Sequence, residues 1–242
     1  MRVTYLMTML TARPARLLGL LAGAAILLGA CGGTAAPAPA TAAATTPALS
    51  APTASAAPVS AGGIWTVGSM SKATVRVREQ LVNVPAPSDA VLVATGANGT
   101  FRLKPDGSFS DDSKISFDLN TLVSDQSFRD GFVKRTTLET AKFPTADLVP
   151  VKATGLSVPL PASGDFTFKL AAKLTIHGVT KDVTFDVVAK RTGSDLTATA
   201  TLNPTIKFAD FGMSPPSVPG RVISVVDEIK LVVDLVATGP AT

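Results

Sequence analysis

"GDFTFKLAAKLTIHGVTKDVTFDVVAK", residues 164–190, decides the fold. In its first half Phe166, Phe168, Leu170, Ala172, Leu174 and Ile176 fall on even positions, while Thr167, Lys169, Lys173, Thr175 and His177 take the odd ones. Apolar and polar residues alternating every second position mark a strand with one dry face. After His177 and Gly178 the pattern resumes: Val183, Phe185, Val187 and Ala189 oppose Asp182, Thr184, Asp186 and Lys190. Two such runs separated by a dipeptide that tolerates positive φ form an antiparallel hairpin. His177, the single histidine of the chain, is expected at the hairpin end, on the polar face and with an exposed ring.

The same period recurs on both sides of this hairpin. Upstream, Ile115, Phe117 and Leu119 oppose Ser116, Asp118 and Asn120. Downstream, Leu196, Ala198, Ala200 and Leu202 oppose Asp195, Thr197, Thr199 and Thr201, and Ile229, Leu231, Val233 and Leu235 oppose Glu228, Lys230 and Asp234. Turn signals lie between them: "GANG" at 96–99, "PDG" at 105–107 and "RTGSD" at 191–195. Strands with one dry face each must stack as two sheets or close on themselves, and closure removes the exposed edges. The expected class is all-β and antiparallel, a sandwich or a barrel.

One segment departs from this period. "SDQSFRDGFVKRTTLETAKFP", residues 124–144, offers Ser124 or Asp125 as a helix cap and places Phe128 and Phe132 four apart. Asp125 with Arg129, and Asp130 with Lys134, have the spacing of ion pairs along one helix face. A short helix is expected here, covering a barrel mouth or packing beside it, although Gly131 weakens it.

The N-terminal sixty residues have a different character. Arg2, Arg13 and Arg16 precede an apolar run, Leu17 to Leu28, and then "LLGAC" ending at Cys31. A basic region, a short apolar core and a small-residue site read as an export signal, too short to span a bilayer comfortably. A start at Met1, Met7 or Met9 leaves that pattern intact. Arg13 and Arg16 are not adjacent, so no twin-arginine signal is indicated. The "LGAC" resembles the bacterial lipobox, which implies cleavage after residue 30, lipidation of Cys31 and attachment to the extracytoplasmic side of the cell membrane. Residues 32–61 are almost wholly Ala, Pro, Thr, Ser and Gly, a composition with too little to bury against the entropy of ordering, and read as a tether. The expected organisation is a signal over 1–30, a lipidated tether over 31–61 and one folded domain over 62–242.

Composition excludes several functions. The formal charge of +4 owes most to Arg2, Arg13 and Arg16. Without them no Lys/Arg cluster remains to follow a phosphate backbone, so no nucleic-acid partner is expected. Cys31 is the one cysteine, so thiol chemistry and a Cys/His zinc site have no residues to use. Asp111 with Asp112, and Asp227 with Glu228, lack the loop pattern of a calcium site. A hydrolase would need His177 to act as base beside a Ser or Thr nucleophile with a carboxylate behind it. Asp182 is placed to pair with His177 across the hairpin, which is local electrostatics and not a triad; no catalytic residue and no metal ligand is assigned.

Four stretches together resemble the YceI-like family of secreted or periplasmic bacterial proteins. They are the early tryptophan in "GGIWTVGSMSKATVRVRE", "TLVSDQSFRDGFVKRTTLETAKFPTADL", "GDFTFKLAAKLTIHGVTKDVTFDVVAK" and the late "FADFGM", in that order over about residues 62–237. The resemblance implies an elongated, lipocalin-like antiparallel barrel around an apolar tunnel, occupied in some members by a polyisoprenoid. It implies no catalytic set. A barrel of about eight strands is near the size at which interior side chains either fill the space or leave room for one small ligand. All 11 phenylalanines lie between 101 and 211. The candidate cavity residues are Phe101, Phe117, Leu119, Phe128, Phe132, Phe166, Phe168, Leu170, Leu174 and Phe185, with Arg129 and Lys134 as head-group partners. The expected cargo is a polyisoprenoid or quinone-like lipid with no further cofactor, and a homodimer is a possible assembly. The alternative is a structural or adhesive envelope module whose barrel is filled.

Overall fold

The computed structural model describes residues 62–240. The signal, Cys31 and the tether lie outside the described residues. Ten strand segments form one antiparallel sheet: β1 Trp65–Val67, β2 Lys72–Leu81, β3 Ser88–Ala94, β4 Asn98–Phe101, β5 Lys114–Asp118, β6 Thr145–Thr154, β7 Ser163–Ile176, β8 Val179–Thr192, β9 Asp195–Leu202 and β10 Val222–Thr238.

The segments make a closed barrel of eight strands, because two of those strands are each broken in the middle. β1 and β2 lie end to end along β10, pairing Thr66 with Thr238 and Val75 with Leu231. β4 pairs with β1 and β3 pairs with β2 in the same way. "GANG" is therefore a bend inside one barrel strand and not the hairpin turn expected of it, since the chain continues in the same direction past it. The β1–β2 break is held by Ser71, which is fully buried. Its Oγ accepts the Val236 N–H at 2.9 Å and donates to the Val236 carbonyl at 3.1 Å, while Gly68 N–H donates to that carbonyl at 2.8 Å.

β7 and β8 form the hairpin expected from the alternation, paired from Ser163 with Thr192 to Ile176 with Val179. The dipeptide between them has φ +53° at His177 and +75° at Gly178. Positive φ at both central residues matches the right-handed twist of the flanking strands, and histidine is among the side chains that enter this region more readily.

At one end of the barrel the ring is complete and the interior is filled. Trp65 stacks on Phe101 with centroids 6.2 Å apart, and Phe109 meets Phe101 edge-on at 6.2 Å. Arg191, 4 % exposed, lies 5.0 Å from the Trp65 ring and donates to the carbonyls of Gly193, Leu160 and Pro161. These carbonyls and the indole face substitute for the water that burial removes from the guanidinium.

Toward the other end β3 parts from β5. A bridge between Val93 and Val123 ties β3 to the segment that follows β5, and beyond it the gap is covered by α1, Ser127–Phe132, and the π-helical turn Val133–Thr137 that continues it. Leu122, Val133 and Leu138 pack on the inner face of β3 at Ala90, Leu92 and Ala94. The N-cap position is Gln126, which makes no side-chain cap, in place of Ser124 or Asp125. Asp130 does not pair with Lys134 as its spacing suggested. It reaches back to accept the Ser124 N–H at 2.8 Å and the Ser124 hydroxyl at 2.6 Å, satisfying groups ahead of the first turn.

Candidate functional site

Where β3 parts from β5 the barrel encloses a cavity of about 600 Å³, within the range of small-molecule sites. Its walls follow from strand parity. "KATVRVREQL" sends Ala73, Val75, Val77, Glu79 and Leu81 inward, β3 sends Ala90, Leu92 and Ala94, and β10 sends Val225, Ile229, Leu231 and Val233. Phe117, Leu148, Leu174 and Phe185 add lining from β5, β6, β7 and β8, with Phe208 and Met213 from the segment after β9. The helical cover adds Phe128, Phe132, Val133 and Leu138.

Several of the inward side chains are alanines, and a methyl group leaves space that a larger residue would close. The open volume thus has a local cause: small residues on β2 and β3 face a helix instead of a neighbouring strand.

Into this apolar lining project one carboxylate, that of Glu79, and two guanidinium groups, those of Arg129 and Arg221. Glu79 occupies an inward slot of β2 with its side chain 8 % exposed, and Arg129 reaches it from α1 with its side chain 13 % exposed. Arg129 also binds Asp125, four residues earlier, whose side chain is 73 % exposed. A buried carboxylate costs several kcal/mol without a partner, so the pair pins α1 across the gap and leaves the chamber without net charge from these two groups. Gln126, Asn83 and Thr137 are further polar groups of the lining, and Arg221 stands at the mouth with its guanidinium 4.5 Å from the Phe128 ring centre.

Of the aromatic and aliphatic residues expected around a cavity, Phe117, Leu119, Phe128, Phe132, Leu174 and Phe185 line it. Phe101, Phe166, Phe168 and Leu170 do not. Phe101 belongs to the filled end, stacked on Trp65. Phe168 and Leu170 pack against the main core only in part. Phe166 is half-exposed opposite Ala189, on a stretch of β7 that runs on beyond the last β6 pairing, Thr154 with Lys169. Alternation shows which face is inner but not how far along the barrel axis a residue lies. Arg129 lines the cavity as one half of an ion pair, and Lys134 is outside the lining.

His177 also differs from expectation. Its side chain is 17 % exposed and packs edge-on to Phe143 at 4.7 Å. Its Nδ1 lies 3.3 Å from the Phe211 carbonyl, an acceptor that requires the proton on Nδ1. Its Nε2 is buried without a hydrogen-bond partner and lies 3.7 Å from a Glu139 carboxylate oxygen. Asp182 pairs instead with Lys173 at 2.8 Å. The contacts of the ring are a phenyl group, a carbonyl and a carboxylate, which join the hairpin turn to Glu139–Phe143 and to the 3₁₀ turn Ala209–Phe211; none is a Ser or Thr hydroxyl.

Of the charged groups, Asp186 has its carboxyl held below the ordinary value by the Lys169 ammonium, with the Asn203 amide assisting. It lies on the outer, polar face of β8 and so takes no part in the cavity.

A closed antiparallel barrel with an apolar chamber beneath a helical cover defines the class of lipocalin-like β-barrels. Within that class the chain belongs to the YceI-like family, whose domain matches residues 69–237. A UPF0312 protein of Pseudomonas putida is 34 % identical over 143 residues, covering 52 % of this chain and 68 % of the relative. Among solved structures, a polyisoprenoid binding domain from Saccharophagus degradans, implicated in plant cell wall breakdown, aligns with TM-score 0.55 at 14 % identity, covering 73 % of this chain and 98 % of that one. BcnA of Burkholderia cenocepacia aligns with TM-score 0.51 at 22 % identity, covering 69 % and 96 %. Both share the fold.

Proposed function

We propose that this protein carries or sequesters an apolar, isoprenoid-like lipid in the cavity between β2, β3, β10 and α1, on the extracytoplasmic side of a bacterial membrane to which lipidated Cys31 attaches it. The observation that carries this reading is the chamber of about 600 Å³, lined by aliphatic and aromatic side chains in a barrel otherwise filled. The description of the Saccharophagus protein as polyisoprenoid-binding supports it. A barrel filled throughout, the structural-module alternative, does not fit that chamber.

Affinity in such a site comes from removing hydrocarbon from water. At about 0.8 kcal/mol per methylene, a five-carbon isoprene unit contributes roughly 4 kcal/mol. The first unit or so offsets the cost of immobilising the ligand, which is at least about 4 kcal/mol. Binding should therefore strengthen steeply with chain length until the chamber is full, and a polar head would mainly select orientation.

The test is native mass spectrometry and organic extraction of the full chain carrying Cys31→Ser, beside the same chain with Ala90→Phe. Ala90 is 5 % exposed on the inner face of β3, so a phenyl group there fills the chamber. A discrete mass that extracts as a long-chain isoprenoid or quinone and is lost with Ala90→Phe is the expected result. A chain that stays empty when such lipids are offered refutes the carrier reading. The anchor is tested separately: wild type should stay with membranes through a high-salt wash, and residues 31–242 carrying Cys31→Ser should be released by it.

A further inference from the structure

The cavity opens at the end of the barrel where β2 finishes and β10 begins, and that rim has an unusual surface. Val82 is 46 % exposed, Phe128 49 %, Ile223 63 % and Val226 45 %. These residues are continuous with the chamber: Leu81, Val222 and Val225 line it, while Val82, Ile223 and Val226, their sequence neighbours, face outward. The hydrogen bond from Val82 N–H to the Arg221 carbonyl ties the two rim segments together.

The carboxylates that flank this rim are engaged elsewhere: Glu79 pairs with Arg129, Asp227 accepts the Phe208 N–H and Glu228 accepts the Thr205 hydroxyl. "QLVNVPA", residues 80–86, and "SPPSVPGRVISVV", residues 214–226, contain no carboxylate and one cation, Arg221. Around α1, Asp125 is engaged by Arg129 and Asp130 by Ser124, whereas the Arg135 guanidinium lies along the outer side of the helix at Gly131. Apolar side chains next to exposed cations suit an interface with anionic lipid.

We propose that this mouth seats on an anionic lipid surface, so that an apolar chain passes between bilayer and cavity without crossing water. The inference rests on the carrier reading for its cargo, but the surface itself stands on the rim residues. A membrane-dissolved chain leaving through water would expose its whole length, whereas a mouth pressed into the headgroup layer keeps that surface covered throughout.

The position of the N-terminal attachment is compatible with this orientation. Gly63 lies against Pro240, beside the C-terminal end of β10, whereas the mouth is at its N-terminal end. The 17 residues of β10 span roughly 55 Å. Residues 32–61 can reach roughly 100 Å when extended, enough for a domain anchored at Cys31 to turn its far end to the same membrane.

The experiment compares the mature chain, residues 31–242, carrying Cys31→Ser, which has neither the apolar signal nor an acyl anchor, with the same chain bearing Val82→Ser, Ile223→Ser and Val226→Ser. None of these three side chains lines the cavity. Two readings are taken: flotation with vesicles of phosphatidylcholine and phosphatidylglycerol, and uptake of a fluorescent farnesyl-chain analogue from a cyclodextrin complex without membrane. Flotation of the parent, weakened by salt and reduced about tenfold or more in the triple variant, with unchanged uptake from cyclodextrin, supports the proposal. Equal flotation of both proteins, or none by the parent, overturns it and leaves the carrier reading standing. A parent that is dimeric in solution, fails to float and becomes monomeric in the triple variant assigns the rim to a second copy instead, which also overturns it. Absence of uptake from cyclodextrin by the parent overturns the carrier reading, and flotation then decides the membrane surface alone.

Discussion

Replacing Arg129 with methionine tests whether α1 is pinned over the cavity by charge. The substitution keeps much of the aliphatic stem but leaves the Glu79 carboxylate, 8 % exposed, facing hydrocarbon. Removing one partner of a buried pair costs about 3–5 kcal/mol, a large part of the 5–15 kcal/mol that stabilises an ordinary domain. Arg129 also touches Asp125, but that carboxylate is 73 % exposed and an exposed pair contributes at most about 1 kcal/mol. Asp125→Asn should therefore be almost silent. The double variant Glu79→Leu with Arg129→Met removes both charges and should return close to wild type or exceed it, because the desolvation cost disappears with the attraction.

The chain provides its own probe. It has one tryptophan, Trp65, 5 % exposed in the filled end, so its emission reports urea unfolding. A midpoint drop for Arg129→Met that is largely restored in the double variant, giving a coupling energy of several kcal/mol, is the expected outcome. If Arg129→Met lies within about 0.5 kcal/mol of wild type, or if the two substitutions are additive, then the pair does not hold the cover and the account of α1 is wrong.

Three further outcomes follow from single contacts. Ser71→Ala leaves the Val236 N–H at the β1–β2 break without a partner, while the Val236 carbonyl keeps the Gly68 N–H, and should cost about 1–3 kcal/mol in urea unfolding. Arg191→Met should cost about 2–4 kcal/mol and shift the Trp65 emission, since three carbonyls lose a donor and the indole its cation; an unchanged spectrum would refute the stacking. Asp186 has a folded-state pKa below its usual 3.8, so its pairing stabilises above that value and the contribution fades as pH falls through the lowered one. The difference in Tm between wild type and Asp186→Asn should therefore be small but present at pH 6 and vanish well below pH 3.8; a difference that persists in acid contradicts the Lys169 contact.

The hairpin of β7 and β8 was legible because each residue's partner lies nearby in sequence and the pattern runs unbroken across His177 and Gly178. The closed ring was less so. "GANG" carries the chemistry of a turn, and only the pairing of β3 with β2 before it and of β4 with β1 after it makes it a bend. The same limit explains the misplaced aromatics. Phe166 and Phe185 both occupy apolar slots, yet one extends beyond β6 and the other faces the chamber, a difference in axial height that period-two reasoning does not contain. A usable signal did exist in "KATVRVREQL". Glu79 falls in phase with Ala73, Val75, Val77 and Leu81, and an acid in an inward slot requires a buried cation. Finding Arg129 as that cation needed the helix to be placed over the gap.

The two ends of the barrel differ through what stands opposite the inner face. Beside Trp65, β1 and β4 complete the ring and their aromatic side chains meet across a short distance, so closure and filling go together. Beyond the breaks at Gly68 and Gly96, β3 loses β5 as a neighbour and the helix takes its place, supported by Leu122, Val133 and Leu138 on three small or aliphatic residues. A helix needs more room than a strand, about 10 Å against about 5 Å between axes, and the alanines of β2 and β3 do not reach across it. The chamber is therefore tied to the substitution of a helix for a strand pairing, and eight strands alone would not have produced it. The Glu79–Arg129 pair follows from the same substitution. Hydrocarbon contacts alone would let the helix slide along β2, whereas a buried ion pair fixes one register, so the element that creates the space is also the one held in place by charge.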